Sequence, residues 1–208
     1  MRLKVLLSAV CLVCALAAVF VCLHPVRVAQ AAPAAAPAYA ANANLLPLTN
    51  YREWVYLTTG IDMSYNPKAM AADHSMFDNV FVNPEAYRSF LATGTWPDKT
   101  VMVLEVREAR DKGSINHRGH FQGEGVRGFE VHVKDEARFP GKWGFFDFDA
   151  PDKNGTLIPA GAPCYSCHAQ HGAVDTTFVQ FYPTLLPIAR TKHTFNEEFA
   201  REDNGGGK

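Results

Sequence analysis

Thr100-Val101-Met102-Val103-Leu104-Glu105-Val106-Arg107-Glu108-Ala109 is the stretch in which the chain adopts a period of two. Val101, Val103 and Glu105 fall on one face, and Met102, Leu104 and Val106 on the other. Apolar side chains occupy both faces, so the segment reads as a strand covered on two sides. Downstream, Arg110 to Arg118 is a polar turn, and Gly119–Phe121 and Gly128–Val133 are the next two strand candidates. In the latter, Phe129, Val131 and Val133 alternate with Glu130 and His132. Trp143–Phe148 is a further, aromatic strand. Strands joined by short links predict an antiparallel meander and not a βαβ series. The fold class that follows is α+β: an antiparallel sheet with a few short helices.

Upstream, Val80–Val82 reads as a short strand. Asn83-Pro84-Glu85 then opens a helix, with a capping side chain, proline in the first turn and an acid beside it. That helix carries Tyr87 and Phe90 and stops at Gly94. Thr49 or Asn50 is a cap for another short helix bearing Tyr51, Trp54, Val55 and Leu57, with Gly60 as its stop. Met63 to Asp73 and Ala150 to Pro163 have no period and read as loops. One or two short helices are expected from Cys164 onward.

The chain has 208 residues, 48% of them apolar and 20% charged, with a formal net charge of −1. This is an ordinary globular mix, which excludes a disordered acidic protein and announces no surface for nucleic acid. Arg2 and Lys4 precede an uncharged, predominantly apolar run from Val5 to Leu23, followed by Ala29-Gln30-Ala31, an A-x-A cleavage site. Residues 1–31 therefore read as a secretory signal peptide and the protein as exported, or periplasmic. The alternative is an uncleaved membrane anchor. Residues 32–44 are rich in Ala and Pro and read as a flexible leader. Residues 45–200 form the folded domain and 201–208 a Gly-rich, frayed tail. Cys11, Cys14 and Cys22 lie in the signal segment, so the exported chain keeps only Cys164 and Cys167.

Those two stand in Cys164-Tyr165-Ser166-Cys167-His168, the C-x-x-C-H signature of haem c attachment. On one helical turn, two thiols three apart reach the two vinyl groups of one porphyrin, and the adjoining imidazole points at the iron. One motif implies one covalent haem, with Cys164 and Cys167 as thioethers and His168 as proximal iron ligand. The alternatives are a Cys164–Cys167 disulfide, a thioredoxin-like pair and a zinc site. The Pro-rich loop before the motif does not give the second its strand–motif–helix context. The third lacks ligands, since His168 adjoins Cys167 and His171 alone does not complete the set. No methionine follows His168, so a downstream Met ligand of the ordinary small-cytochrome kind is absent. A four-helix cytochrome is excluded by the strands between Thr100 and Phe148.

Tyr51-Arg52-Glu53-Trp54-Val55, Val82-Asn83-Pro84-Glu85-Ala86-Tyr87, Val133-Lys134-Asp135, Arg138-Phe139, Trp143, Cys164 to His168 and Phe181-Tyr182-Pro183 occur in this order. On them the chain resembles the cytochrome P-460 and cytochrome c′-beta family over nearly all of Leu45 to Arg190. The resemblance implies an antiparallel sheet with helices, a homodimer and a five-coordinate haem c with an open distal face. It also implies a small diatomic or nitrogenous ligand: P-460 members oxidise hydroxylamine or bind nitric oxide, and c′-beta members bind nitric oxide and carbon monoxide. The P-460 branch cross-links a lysine to its porphyrin. The matching position here is Leu104, which cannot form that bond, and Lys99 and Lys112 are out of register.

The same resemblance draws the distal pocket from His74-Ser75-Met76-Phe77-Asp78. Phe77 is a candidate cap over the iron, with core packing as its alternative. His74 and Asp78 are candidate catalytic groups that donate or accept a proton, and Met76 is a less favoured sixth ligand. His117, His120 and His132 read as surface residues of the sheet, and His171, three residues after His168 on the same side of its helix, as a residue near the haem or at the surface and not a ligand. Three functions stay open: a nitric-oxide-binding protein, an oxidoreductase acting on hydroxylamine or nitric oxide, and an electron carrier with its own redox partner.

Overall fold

A computed structural model of the chain describes residues 36–48, 50–63 and 75–205. The signal segment and His74 lie outside the described residues. The architecture is α+β: a single sheet of six strands in the order β1-β2-β3-β4-β5-β6, every neighbour antiparallel. The strands are β1 (Val55–Ile61), β2 (Met76–Val82), β3 (Val101–Arg110), β4 (Phe121–Lys134), β5 (Trp143–Phe148) and β6 (Thr156–Leu157). Among the described residues four helices accompany them: α1 (Pro84–Thr93), α2 (Pro163–His171), α3 (Leu186–Lys192) and α4 (Glu197–Asn204). This is the expected meander, with strands in sequence order and no crossover.

Several boundaries differ from expectation. The helix expected from Tyr51 is one 3-10 turn (Tyr51–Glu53) followed by β1. Val55, Tyr56, Thr58, Thr59 and Ile61 are β-branched or aromatic, and β2 offers them a hydrogen-bonding edge, so pairing outweighs the weak helical spacing. The strand at Val80 begins at Met76, which brings Asp78 into the sheet. The two candidates at Gly119 and Gly128 are a single long strand, β4, whose irregular register with β3 near Val106–Ala109 absorbs the glycines. Residues 38–46 fold back upon themselves, Leu46 N donating to Ala38 O (2.8 Å) and Leu45 pairing with Gly155. Tyr39 explains this, since its ring lies beneath the Arg138 guanidinium at 3.9 Å and its hydroxyl reaches Asp135. At the other end α4 runs on to Asn204, and Arg190 grips Asp203 with two bonds of 2.7 and 2.6 Å.

The helix from Asn83 is as expected, with Pro84 in its first turn and Gly94 at its end. The Asn83 side chain does not cap it; its Oδ1 accepts from Val101 N (2.8 Å) and so ties the helix start to β3. Gly94 has φ +77, and a Cβ there would meet Lys192 Cβ at 2.7 Å and Thr194 Oγ1 at 2.9 Å. Gly94→Ala therefore loses about 1–3 kcal/mol of stability, read as a lower urea midpoint.

Both sheet faces are covered, and by different material. One face, through Val101, Val103, Phe129, Val131, Val133, Phe146 and Phe148, packs against Leu45, Tyr51 and Trp54. The opposite face, through Val82 and Met102, packs against Phe90, Trp96 and the C-terminal residues Ala173, Val174, Tyr182 and Leu185. Further along this second face the packing is incomplete, and a cavity opens.

Candidate functional site

The cavity holds about 400 Å³ and lies between the second face of the sheet and the segment around α2. Its sheet wall follows from strand alternation. Gly60 pairs with Asp78 and Thr58 with Val80; Val80 pairs with Leu104 and Leu104 with Glu130; Met102 pairs with His132 and His132 with Phe145. All of these line the cavity. The facing wall is His168, Phe178, Phe181 and Tyr182.

Helix α2 carries Cys164, Cys167 and His168. Pro163 starts it, Gly172 ends it, and none of its residues is buried by the protein itself. Tyr165, between the cysteines, donates to Ile158 O (3.1 Å) and accepts from Phe145 N (3.4 Å), which fixes the helix to β5. Gly172 is required by a close approach, because a Cβ there would stand 2.6 Å from the carbonyl carbon of Thr176 and 2.7 Å from Thr177 N. The returning loop brings Thr176 O to 2.8 Å from His168 Nδ1. That acceptor places a proton on Nδ1 and leaves Nε2 unprotonated. Burial lowers the pKa of His168, and the bond to Thr176 opposes this only in part. The imidazole is thus neutral at physiological pH, the state that binds a metal.

Cys164 and Cys167 are free thiols, half-buried, one turn apart on the helix that presents His168. Among the described residues no cluster of three or more His, Cys, Asp or Glu side chains could hold a metal ion, which leaves the zinc alternative without its ligands. The residues fit a haem. The helix has surface to be covered, the cavity is walled by aromatic rings, and a neutral imidazole with a free Nε2 borders it.

His132 is not a surface residue. It is 8% exposed, stacked on Phe145 at 3.9 Å and 4.3 Å from the Trp143 ring, with its Nε2 unpartnered. Burial first, and then the neighbouring His168, hold its pKa well below the ordinary histidine value. The signal for this was present in β3: if Met102, Leu104 and Val106 are covered, the paired residues of β4 are covered with them. The His132 and His168 rings meet edge to face at 5.0 Å. Two imidazoles in contact cannot stand on opposite sides of one iron, so His132 belongs to the packing around His168. His117, His120 and His171 are exposed, as expected.

Asp78 borders the cavity, and Glu130, which sequence reasoning passed over, lies on the same sheet wall two strands away. Burial raises the pKa of Asp78, aided by Asp62. Glu130 is reached by solvent, yet the enclosing walls raise its pKa, and Asp147 and Asp78 add to the effect. Phe77 does not line the cavity: adjacent strand residues point to opposite faces, so Asp78 turns toward the cavity and Phe77 away. Met76 is likewise absent from the lining. Leu104 projects into it, and no lysine lies among the described lining residues. Lys99 bonds instead to Asp135 at 2.5 Å. No helix among the described residues is long and apolar enough to cross a membrane.

A meander sheet, a cavity on one of its faces and a C-x-x-C-H helix closing that cavity define a cytochrome built on a sheet. The pattern of the Cytochrome P460 family matches residues 48–179, spanning every strand and the whole of the motif. The chain belongs to that family and is thereby a haem-binding cytochrome. Comparison with curated proteins gives no match.

Proposed function

We propose that this is an exported protein carrying one haem c, with thioether bonds to Cys164 and Cys167, His168 as the single protein ligand to iron, and an open distal position for nitric oxide or a similar small ligand. The observation that carries this reading is the composition of the cavity facing His168: Val80, Leu104 and Val106 on the sheet, aromatic rings opposite, and no lysine among the described lining residues. A haem supplies an iron whose vacant position takes the ligand. The protein's part is to hold His168 neutral and oriented, to exclude water with Phe145, Phe178 and Tyr182, and to admit small molecules past Val80, Leu104 and Val106 of the sheet wall. The apolar signal-like segment at residues 5–23 supports export, which haem c attachment requires. Exposed Tyr56 and Ile61 on the edge strand β1 support a homodimer.

Asp78 and Glu130 favour a second reading, an oxidoreductase acting on hydroxylamine. Two carboxyls with raised pKa values beside one cavity are suited to accept protons from a substrate. In that case turnover rises with pH as the raised carboxyls ionise, and Glu130→Gln or Asp78→Asn abolishes that rise. Under the first reading both variants bind nitric oxide within about threefold of the parent (under 1 kcal/mol) and the parent consumes no hydroxylamine. Anaerobic nitric oxide titration and a hydroxylamine consumption assay, run on the parent and both variants, separate the two.

A further inference from the structure

The loop that serves His168 is strained where it acts. Val174 and Thr177 pair across a tight turn, with Thr177 N donating to Val174 O at 2.8 Å. The two residues between them are both left-handed, Asp175 at φ +48 and Thr176 at φ +60. Such turns favour Asn-Gly, and a β-branched threonine at positive φ is strained. The strained residue is the one whose carbonyl accepts from His168 Nδ1.

The turn is held from outside the haem helix. Lys134, 8% exposed at its side chain, donates to Asp175 Oδ2 at 2.5 Å and to Trp96 O at 2.7 Å. Trp143 Nε1 donates to the second oxygen of the same carboxylate, Asp175 Oδ1, at 3.3 Å. Trp96 Nε1 donates to Thr177 Oγ1 at 2.8 Å, anchoring the far end of the turn. The last residue of β4 and the first of β5 thus meet at one carboxylate, that of Asp175. Lys134 and Trp143 belong to the sequence motifs shared with the family, yet neither lines the cavity.

We infer that Lys134 and Trp143 are positioning residues for the axial histidine: by gripping Asp175 they hold the Asp175–Thr176 turn in its left-handed form and so keep Thr176 O on His168 Nδ1. The consequence is electronic as well as steric. A hydrogen bond from Nδ1 makes Nε2 a stronger donor, which strengthens the iron–histidine bond and favours the ferric state. Released, the turn relaxes toward negative φ, the carbonyl swings away, and His168 becomes a weaker ligand. The inference rests on His168 ligating the iron.

The test is resonance Raman spectroscopy of the ferrous holoprotein together with its reduction potential, for Lys134→Met, Trp143→Phe, Lys134→Arg and, as a control of comparable stability loss on the opposite sheet face and outside the cavity lining, Phe129→Leu. Lys134→Met is expected to shift the iron–histidine stretch downward and the potential upward. Trp143→Phe, which keeps the ring and removes the N–H, shifts both the same way by less. Lys134→Arg restores both toward the parent, and Phe129→Leu moves neither. The direction of the potential is decisive, because loss of the ammonium charge acting alone favours the ferric state and lowers it. A lowered potential, or an unmoved stretch in Lys134→Met, overturns the inference; should that variant not fold, an unmoved stretch in Trp143→Phe does so. A parent protein with no iron–histidine stretch, or a His168→Ala variant that keeps the parent spectrum, overturns the haem reading itself and this inference with it.

Discussion

Cys164→Ala combined with Cys167→Ala is expected to give a protein from which acidified organic solvent extracts all of the haem, and the parent is expected to retain all of it. The single variants retain haem through one thioether and stain weakly for haem after denaturing electrophoresis. The physical reason is that α2 buries none of its own residues, which leaves its surface for a bound haem to cover. With both thioethers gone, only the His168 bond and the aromatic walls hold the porphyrin. The expected loss is all-or-none in the covalent assay, the largest effect of any substitution considered. Retention of non-extractable haem in the double variant would mean attachment elsewhere.

The second large effect lies on the other face of the sheet. Glu105 is 1% exposed and accepts hydrogen bonds from Tyr51 (2.5 Å) and from Arg107 Nε (2.5 Å), while Arg52 closes over it as an ion pair. This carboxylate joins the 3-10 turn Tyr51–Glu53 to β3, and Tyr51 rests against Phe129 at 4.9 Å. Glu105→Ala leaves the Tyr51 hydroxyl and the buried side of Arg107 without their acceptor, a loss of about 3–5 kcal/mol. Burial alone would raise the pKa of Glu105, but the bonds from Arg107 and Tyr51 and the charge of Arg52 outweigh it and hold the group below its ordinary value. Its stabilisation is therefore full above the unfolded carboxylate value and lost as pH falls through the lower folded value. In urea unfolding at a series of pH values, the parent and Glu105→Gln converge on acidification and separate toward neutral pH. A constant gap between them would contradict the assigned charge.

The sheet was legible because β3 announces itself: six consecutive residues from Val101 alternate without a break, and the structure places them on two covered faces, as the pattern implies. Asn83-Pro84 and Gly94 were legible because proline and a left-handed glycine carry local meaning that tertiary contacts rarely reverse. The turn into β1 was not, since Tyr51 to Leu57 fits a helix locally and only the β2 edge makes a strand of Val55 onward. The haem motif could be read from its spacing alone, whereas the surroundings of His168 could not. Asp175, Lys134 and Trp143 come from three separate parts of the chain, and the meeting of Lys134 and Trp143 at the Asp175 carboxylate follows the register between β4 and β5. Phe77 shows how sharply strand parity matters. Expected over the iron, it stands one residue from Asp78, and in a strand one residue is the difference between the cavity and the opposite face.

The most direct measurement is the absorption spectrum of the purified protein, ferric and dithionite-reduced, before and after anaerobic addition of nitric oxide. The account predicts a high-spin haem c spectrum in the reduced form with an ordinary Soret band that shifts on adding nitric oxide. A strongly red-shifted ferrous Soret band would mean a lysine cross-link, contradicting the place of Leu104 in the cavity wall and bringing hydroxylamine oxidation to the fore. A low-spin ferrous spectrum unmoved by nitric oxide would mean a second protein ligand on the iron, and the open site would be refuted.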